Sequence, residues 1–281
     1  MERILVLGIS GMLGNAVFRF LTAHSEHSVH GTTRSRATGD LGTGCILGGV
    51  DVADFDSVVG AFSLARPTVV INCVGVVKQL EQSRDPLHML PINSLLPHRL
   101  ARLCAASGSR LIHISTDCVF SGKSGSYRED DFADADDLYG RSKYLGEVGG
   151  PHSLTLRTSI IGHELTTSHG LVDWFLAQPG PVKGFTRAIF SGLPTVSLAE
   201  VIRDRVLPDA GLTGVYHVSS TPISKFALLE IVAEVYARST VIVPDDKLTI
   251  DRSLDSSRFR ECTGYRPADW PELVRQMHSF G

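Results

Sequence analysis

LVLGISGMLGNAVFRFL, residues 5–21, joins a short apolar run to an amphipathic segment through a turn that contains three glycines. Gly8, Gly11 and Gly14 have the spacing G-x-x-G-x-x-G, directly after a predicted strand and at the start of a predicted helix. Glycines at such a junction allow a tight turn and let the backbone approach a pyrophosphate, which then lies against the helix N-terminus. The stretch therefore predicts a nucleotide-binding strand–turn–helix unit, and a tight turn without a ligand is the alternative. The residues expected to bind a dinucleotide here are Gly8, Ser10, Gly11, Met12, Leu13 and Gly14.

Short runs rich in Val, Ile and Leu recur along the chain, and helical patterns lie between them. Continuous apolar strands separated by helices predict a parallel sheet that is covered on both faces. The predicted strands are residues 3–8, 27–33, 68–75, 110–116 and 153–159, with 214–220 returning to the sheet. The predicted helices are residues 14–24, a segment that begins near residue 95, 171–178 and 222–238.

The pattern loosens after residue 160, where glycines and prolines become frequent. We therefore predict an α/β fold: a Rossmann-type, doubly wound parallel sheet with a smaller, interleaved C-terminal α/β substrate lobe. The dinucleotide-binding domain is expected to span residues 1–159, with 195–220 returning to it. The substrate lobe is expected to comprise residues 160–194 and 221–281.

Composition narrows the class of protein. The 281 residues carry a formal net charge of -3, which gives no reason to expect nucleic acid or an acidic membrane surface as a partner. Five cysteines without a Cys-x-x-Cys pair indicate a reducing compartment and no structural zinc, and no other metal site is expected. The N-terminus has too few apolar residues for a signal peptide, and no apolar run is long enough to cross a bilayer. We expect a cytoplasmic protein.

The end of the second predicted strand bears on the choice of dinucleotide. An acid there would hold the 2′-hydroxyl of NAD, but the chain has Thr33, Arg34 and, two residues later, Arg36. Arginine suits a 2′-phosphate, so NADPH is favoured over NADH, which stays open; a solvated loop is the alternative. Asp51 and Val52 follow the third strand and are expected to hold the adenine.

The segment DLYGRSKYLGE, residues 137–147, places Tyr139 four residues before Lys143. At that spacing both side chains leave one face of a helix. An ammonium group beside a phenol favours phenolate and lowers its pKa, which tunes the phenol as a proton donor. A Tyr-x-x-x-Lys pair alone is common on ordinary helices, so this interpretation depends on the other motifs.

Taken together, the motifs resemble the extended short-chain dehydrogenase/reductases, and among them the dTDP-4-dehydrorhamnose reductase family of nucleotide-sugar reductases. The resemblance covers nearly the whole chain. Besides the glycine turn it rests on INCVG (71–75), INSLLPHRLA (92–101), HISTDCVFSG (113–122), SYREDD (126–131), YGRSKYLGE (139–147), FSGLPTVSLAEVI (190–202) and DRSLDSSRF (251–259).

The resemblance implies roles for individual residues. Thr116 matches the family's active-site hydroxyl, Tyr139 its proton donor and Lys143 its lysine. Further cofactor contacts are implied for Cys73, Val74, Gly75, Asn93, Ser115, Tyr139 and Lys143, and substrate contacts for Lys78, Thr116, Asp117, His163 and Arg187. The chain departs from the family at Cys118, where relatives usually carry tyrosine, and at His163, where an aromatic residue is more usual.

The function implied is the NAD(P)H-dependent reduction of a 4-keto-6-deoxy nucleotide sugar, in the biosynthesis of nucleotide sugars, surface polysaccharides or glycosides. One alternative is an epimerase or dehydratase of the same branch that retains NAD. It is weakened because Cys118, not a second acid, follows Asp117. The other alternative is a non-catalytic, NADP-binding regulatory subunit. The partner expected is the nucleotide sugar, and a homodimer is left open.

Overall fold

The main element of the fold is a seven-stranded sheet, seen in a computed structural model that describes residues 1–35, 44–77 and 84–281. Its strands are β1 (Arg3–Leu7), β2 (Ser28–Thr33), β3 (Cys45–Gly48), β4 (Val69–Asn72), β5 (Arg110–Thr116), β6 (Ser153–Thr158) and β11 (Gly214–His217). They are ordered β3-β2-β1-β4-β5-β6-β11. The β1–β2, β1–β4, β2–β3 and β4–β5 pairs are parallel. The direction of winding reverses between β1 and β4, which is the doubly wound order, so the predicted Rossmann-type fold is confirmed.

The helices are α1 (Met12–His24), α2 (Phe55–Ala65), α3 (Pro86–Leu90), α4 (Leu96–Ser107), α5 (Leu138–Leu145), α6 (Leu171–Leu176), α7 (Thr195–Val201), α8 (Lys225–Val235), α9 (Ser257–Thr263) and α10 (Trp270–Phe280). The remaining strands are β7 (Ile160–Ile161), β8 (Val182–Phe185), β9 (Ala188–Phe190), β10 (Leu193–Pro194), β12 (Ile223–Ser224), β13 (Ile242–Asp245) and β14 (Ile250–Asp251). Helices α1, α4, α6 and α8 correspond to the four predicted helices, and α5 to the helical face expected for Tyr139 and Lys143; the other helices and these short strands were not predicted.

Strand β1 shows why the sheet is covered on both faces. Leu5 and Leu7 belong to one buried cluster with residues of α2 and α4, while Ile4 and Val6 alternate with them and point to the opposite face. All four side chains are completely buried. Each contributes about 2 kcal/mol of hydrophobic stabilisation, so this strand has no solvent-facing side.

The helix that contains Asn93 begins earlier than predicted. The prediction placed its start near residue 95 because Pro97 has no N–H with which to bond the carbonyl of Asn93. In the structure, helical backbone runs from Pro86 to Ser107, and a π-helical turn at Pro91–Leu95 joins α3 to α4. Asp85 caps the first turn by accepting a hydrogen bond from the Leu87 N–H (2.9 Å). The wider π turn accommodates the proline. The α-helix α4 itself begins at Leu96, close to the predicted start, and the helical backbone before it was not predicted.

The chain divides into two compact units. Unit 1 comprises Met1–Ser115, Asp136–Leu156 and Ala199–Val215, and unit 2 comprises Thr116–Ala135, Arg157–Leu198 and Tyr216–Gly281. Unit 2 has small sheets of its own: β7 with β10, β8 with β13, and β12-β9-β14. Within the described residues no helix is both long and apolar enough to cross a bilayer.

A buried histidine organises the polar core of unit 2. His217 is fully buried, its Nδ1 lies 3.0 Å from the carbonyl oxygen of Tyr127, and its Nε2 lies 3.2 Å from Nη1 of Arg157. Because a carbonyl only accepts and a guanidinium only donates, the ring is neutral, with its proton on Nδ1. Burial, helped by the charge of Arg157, lowers the pKa of His217 to about 4.

Because His217 is buried in its neutral form, we expect the folded protein to become less stable at acidic pH. Above pH 6.5 the ring is neutral in both the folded and the unfolded chain. As the pH falls from about 6.5 to about 4, His217 binds a proton in the unfolded chain but not in the folded protein, so the free energy of unfolding decreases across this pH range. At pH 5 this effect makes the free energy of unfolding about 2 kcal/mol lower than at neutral pH. Urea unfolding at pH 7 and pH 5 should show a smaller pH dependence in His217→Gln than in the wild type. His88→Gln, at an exposed position of α3, is the control, and equal pH dependence in all three proteins would contradict the assignment.

Candidate active site

The glycine turn between β1 and α1 is built around one close approach. A Cβ on Gly14 would lie 2.1 Å from the carbonyl oxygen of Gly8, and Gly8 has a φ of +86°. Both positions therefore require glycine. Gly11 caps α1, is exposed, and donates its N–H to Gly8 (3.1 Å). The first turn of α1 contains no acidic residue that would neutralise the positive end of the helix. This geometry suits an anion such as a pyrophosphate.

The other predicted dinucleotide contacts in unit 1 follow the neighbouring strands. Thr33 ends β2 and accepts a hydrogen bond from the Val50 N–H (3.0 Å), which ties the loop after β2 to the loop after β3. Arg34 is exposed beside it, and Asp51 is exposed in the β3–α2 connection. Because these strands are parallel, their carboxyl ends lie along one edge of the sheet. Arg36 and Lys78 lie outside the described residues.

Asn93 holds the loop that follows β4. Its Oδ1 accepts a hydrogen bond from the N–H of Val76 (2.8 Å), and its Nδ2 donates to the Val76 carbonyl (3.0 Å) and to Oγ of Ser142 (3.1 Å). Asn72 secures the start of the same loop by accepting from the Val74 N–H (3.1 Å). The side chain of Asn93 thereby joins the loop at Cys73–Val77 to α5, and the π-helical turn positions it for this role.

Helix α5 carries the predicted tyrosine and lysine. Asp137 caps the helix by accepting from the Gly140 N–H (2.7 Å). Lys143 is buried, and its Nζ donates to the carbonyl of Ile114 in β5 (2.7 Å), whereas Tyr139 is half-buried one turn earlier. A Cβ on Gly75 would lie 3.8 Å from Lys143 Nζ, so the lysine faces the loop after β4. The predicted pair is therefore on one helical face and beside the predicted dinucleotide residues.

The charge of Lys143 is set by its surroundings. Burial lowers the pKa of its ammonium group to about 8, and the negative charge of Glu147 opposes this effect. Burial also raises the pKa of the Cys73 thiol to about 12, so that thiol is neutral at physiological pH. His113, completely buried and 3.1 Å from Asn72 Nδ2, has its pKa lowered well below the usual value, by burial first and then by Lys143. Burial and the opposing negative charge of Glu147 thus set the pKa of Lys143, while Cys73 and His113 beside it are uncharged.

Thr116 and Asp117 form a local hydrogen-bonded turn in unit 2. The Thr116 hydroxyl donates to Oδ1 of Asp117 (3.1 Å) and accepts from the Cys118 N–H (3.1 Å), at the start of a 3-10 turn that spans Asp117–Val119. Burial raises the pKa of the Asp117 carboxyl, and the charge of Arg252 opposes it. Arg252 is held by its Nε, which donates to the carbonyl of Phe120 (2.7 Å).

The other two described substrate candidates lie on separate elements of unit 2. Both ring nitrogens of His163 have partners: Nδ1 lies 2.7 Å from Oδ1 of Asp173, and Nε2 lies 2.7 Å from the hydroxyl of Tyr236. His163 thereby joins α6 to the end of α8. Arg187 is exposed between β8 and β9. Their assignment as substrate contacts stays a prediction.

Sequence reasoning did not single out Ser142 and Glu147. The Ser142 hydroxyl lies 2.8 Å from the Tyr139 carbonyl, and Glu147 Oε1 accepts a hydrogen bond from Ser115 Oγ (2.8 Å). Helical spacing was the available signal, since Ser142 follows Tyr139 by three residues and Glu147 follows Lys143 by four.

Replacing Asn93 tests whether its side chain shapes the dinucleotide site. Asn93→Ala leaves the buried N–H and carbonyl of Val76 without partners, at a cost of about 1–3 kcal/mol for each group. We expect a lower melting temperature and at least a tenfold weaker NADPH affinity in a fluorescence titration. The control is Ser109→Ala, which removes a buried hydrogen bond to Pro67 (2.7 Å) and should lower stability alone. Unchanged NADPH affinity in Asn93→Ala would refute the assignment.

The sequence of this chain is similar to those of several known proteins. The family model described as RmlD substrate binding domain matches residues 1–277. The dTDP-4-dehydrorhamnose reductase of Aggregatibacter actinomycetemcomitans is 24% identical, with 100% of this chain and 99% of that protein covered. The probable low-salt glycan biosynthesis reductase Agl14 of Haloferax volcanii is 33% identical over 76% of this chain and 73% of its own length.

A solved structure shows the same fold. The crystal structure of dTDP-4-dehydrorhamnose reductase from Bacillus anthracis in complex with NADP has a TM-score of 0.82 at 20% identity, with 99% of each chain covered. The predicted family resemblance is confirmed: this chain belongs to the RmlD substrate binding domain family.

Proposed function

We propose that this protein is an NADPH-dependent reductase that converts the keto group of a 4-keto-6-deoxy nucleotide sugar into a hydroxyl group. The observation that carries the proposal is the placement of Tyr139 and buried Lys143 on one face of α5, beside the loop after β4. The reductase names of the two relatives described above support the reaction class. The product would enter the biosynthesis of a nucleotide sugar, a surface polysaccharide or a glycoside.

The residues of unit 1 fit a dinucleotide. The turn at Gly8–Gly14 is tight enough to exclude side chains at its ends and leaves Gly11 exposed at the start of α1. Exposed Arg34 at the end of β2 supports a 2′-phosphate, hence NADPH, and the NADP complex of the Bacillus anthracis protein supports the same choice. We assign dinucleotide binding to unit 1 and nucleotide-sugar binding to unit 2.

When bound, the reduced nicotinamide would supply a hydride to the carbonyl carbon of the sugar. Tyr139 would donate its phenolic proton to the carbonyl oxygen, which completes the alcohol. Lys143 would favour the phenolate that Tyr139 becomes, because its ammonium group carries a positive charge. Thr116 would turn its hydroxyl proton from Asp117 toward the carbonyl oxygen and stabilise the negative charge that develops there.

Two alternatives receive less support. An epimerase or dehydratase of the same branch is expected to have a second acid after Asp117, where this chain has Cys118. A non-catalytic regulatory subunit has no need of the complete set of Thr116, Tyr139 and Lys143. Stoichiometric NAD in the purified protein would favour the first alternative. Co-purification with a second protein, without turnover of any sugar, would favour the second.

Replacing Tyr139 tests the proton donor. Tyr139→Phe should lower kcat by about 10²–10⁴-fold, because the general acid is lost, while NADPH still binds. The measurement is NADPH oxidation with a panel of enzymatically generated 4-keto-6-deoxy nucleotide sugars, and the dissociation constant of NADPH is measured in parallel. Tyr144→Phe is the matched control, since Tyr144 lies on the same helix with 46% of its surface exposed. Full activity of Tyr139→Phe would contradict the mechanism.

Replacing Arg34 tests the choice of dinucleotide. Arg34→Ala should raise KM for NADPH by at least about tenfold and change KM for NADH little, because the lost contact is to the 2′-phosphate. Arg238→Ala, at an exposed position after α8, is the control and should keep the wild-type ratio. A wild-type enzyme without preference for NADPH, or a ratio unchanged by Arg34→Ala, would show that Arg34 belongs to a solvated loop.

A further inference from the structure

We propose that Glu147 is a positioning residue of the active site: it is the counter-charge of Lys143 and the anchor of Ser115. This inference deepens the proposed function and rests on it for its catalytic meaning. Nothing in the family resemblance assigned a role to Glu147.

Lys143 and Glu147 form hydrogen bonds with neighbouring residues of the same strand, β5. Lys143 Nζ donates to the carbonyl of Ile114 (2.7 Å), and Ser115 Oγ donates to Glu147 Oε1 (2.8 Å). Ile114 and Ser115 are consecutive in β5, and Glu147 follows Lys143 by four residues just past the end of α5. Two side chains one helical turn apart thus hold two successive residues of β5.

The end of α5 is held closely enough to make this arrangement rigid. A Cβ on Gly146 would lie 1.9 Å from the carbonyl oxygen of Asn93, so only glycine lets the helix end approach the π-helical turn. Because Pro97 has no N–H, it cannot give the carbonyl of Asn93 the usual helical hydrogen bond from four residues later. Glu147 follows directly, and its position relative to β5 is therefore set by backbone packing.

The charges around Lys143 leave Glu147 as its counter-charge. Within the described part of the chain, the titratable groups that interact electrostatically with Lys143 are Cys73 from the loop after β4, His113 from β5, and Glu147. The pKa of Cys73 is raised to about 12 and that of His113 is lowered well below its usual value, so both are neutral at neutral pH. Among the described residues that act on Lys143, Glu147 supplies the negative charge.

Glu147 is partly open to solvent. The residue is half-buried and lines an open surface groove together with His98, Arg102 and His152. Burial alone would drive Lys143 toward its neutral amine, and a neutral amine no longer favours phenolate. Glu147 therefore sets the upper pH limit at which Lys143 remains a cation.

The experiment measures the protonation of Lys143 directly. The chain has six lysines, so the protein labelled with [ε-¹³C]lysine gives few NMR signals, and Lys143→Arg identifies the signal of Lys143. The titration is done on the wild type, Glu147→Gln, Glu147→Asp and the control Glu230→Gln, at an exposed position of α8. Glutamine keeps an oxygen for the Ser115 hydroxyl and removes only the charge, whereas aspartate keeps the charge.

We expect the midpoint of Lys143 to fall by about one pH unit in Glu147→Gln and to fall less in Glu147→Asp. Glu230→Gln should match the wild type. The alkaline limb of the kcat–pH profile should move in the same direction as the midpoint. If circular dichroism shows that Glu147→Gln folds poorly, Glu147→Ser removes the same charge.

An unchanged Lys143 midpoint in the charge-removing variants would overturn the inference, whether or not the enzyme turns over a sugar. Absence of turnover by the wild type on every sugar tested would count against the proposed function, and the titration would still decide the role of Glu147. The two failures are therefore distinguishable.

Discussion

The contact between the backbone of Gly14 and the carbonyl of Gly8 is the constraint on which the rest of unit 1 depends. With 2.1 Å between a Cβ at Gly14 and that oxygen, α1 can begin immediately after β1 only because no side chain is present. The tight junction sets the N-terminus of α1 at the carboxyl edge of the sheet, where β1 and β4 diverge in winding. A positive helix end and an exposed backbone at that point make an anion site without any basic side chain.

A buried cation then defines the chemical character of the site. Lys143 is buried beside the uncharged Cys73 and His113, its Nζ donates a hydrogen bond to the backbone carbonyl of Ile114, and the negative charge of Glu147 acts on it. An ammonium group in such surroundings is costly unless an opposite charge compensates it. Asn93 and Ser142 complete this region with neutral hydrogen bonds, which hold the loop after β4 in place without adding charge. Neutral hydrogen bonds therefore hold the residues of the site in place, and few charges act on Lys143.

Unit 2 uses polar residues differently. His217 and Arg157 are buried together, and the histidine must stay neutral because the guanidinium occupies its free nitrogen. His163, which the family resemblance suggested as a substrate contact, has both nitrogens bonded to side chains of its own unit. Cys118, which differs from the family pattern, donates its N–H to the hydroxyl of Thr116, the proposed oxyanion donor. Substrate specificity is therefore expected to differ from that of the relatives more than the reaction does.

The amino-acid sequence by itself predicted most strands of the main sheet, helices α1, α4, α6 and α8, the glycine turn and the shared face of Tyr139 and Lys143. These features depend on periodicity and on spacings of three or four residues, which local backbone geometry converts directly into structure. The sequence did not predict the helical backbone before α4, because the accommodation of Pro97 depends on a π-helical turn packed against Gly146, about 50 residues away in the chain.

Only the tertiary structure decided which polar groups meet. The bonds from Asn93 to Val76, from Lys143 to Ile114 and from Glu147 to Ser115 join residues 17 to 32 positions apart. His163 and its hydrogen-bond partner Tyr236 are 73 residues apart in the chain. No local pattern specifies such pairs, because they arise when separate elements pack against each other and buried polar groups must find partners. The burial that tunes Lys143 has the same origin: it belongs to the packed sheet and helices, and not to any stretch of the chain.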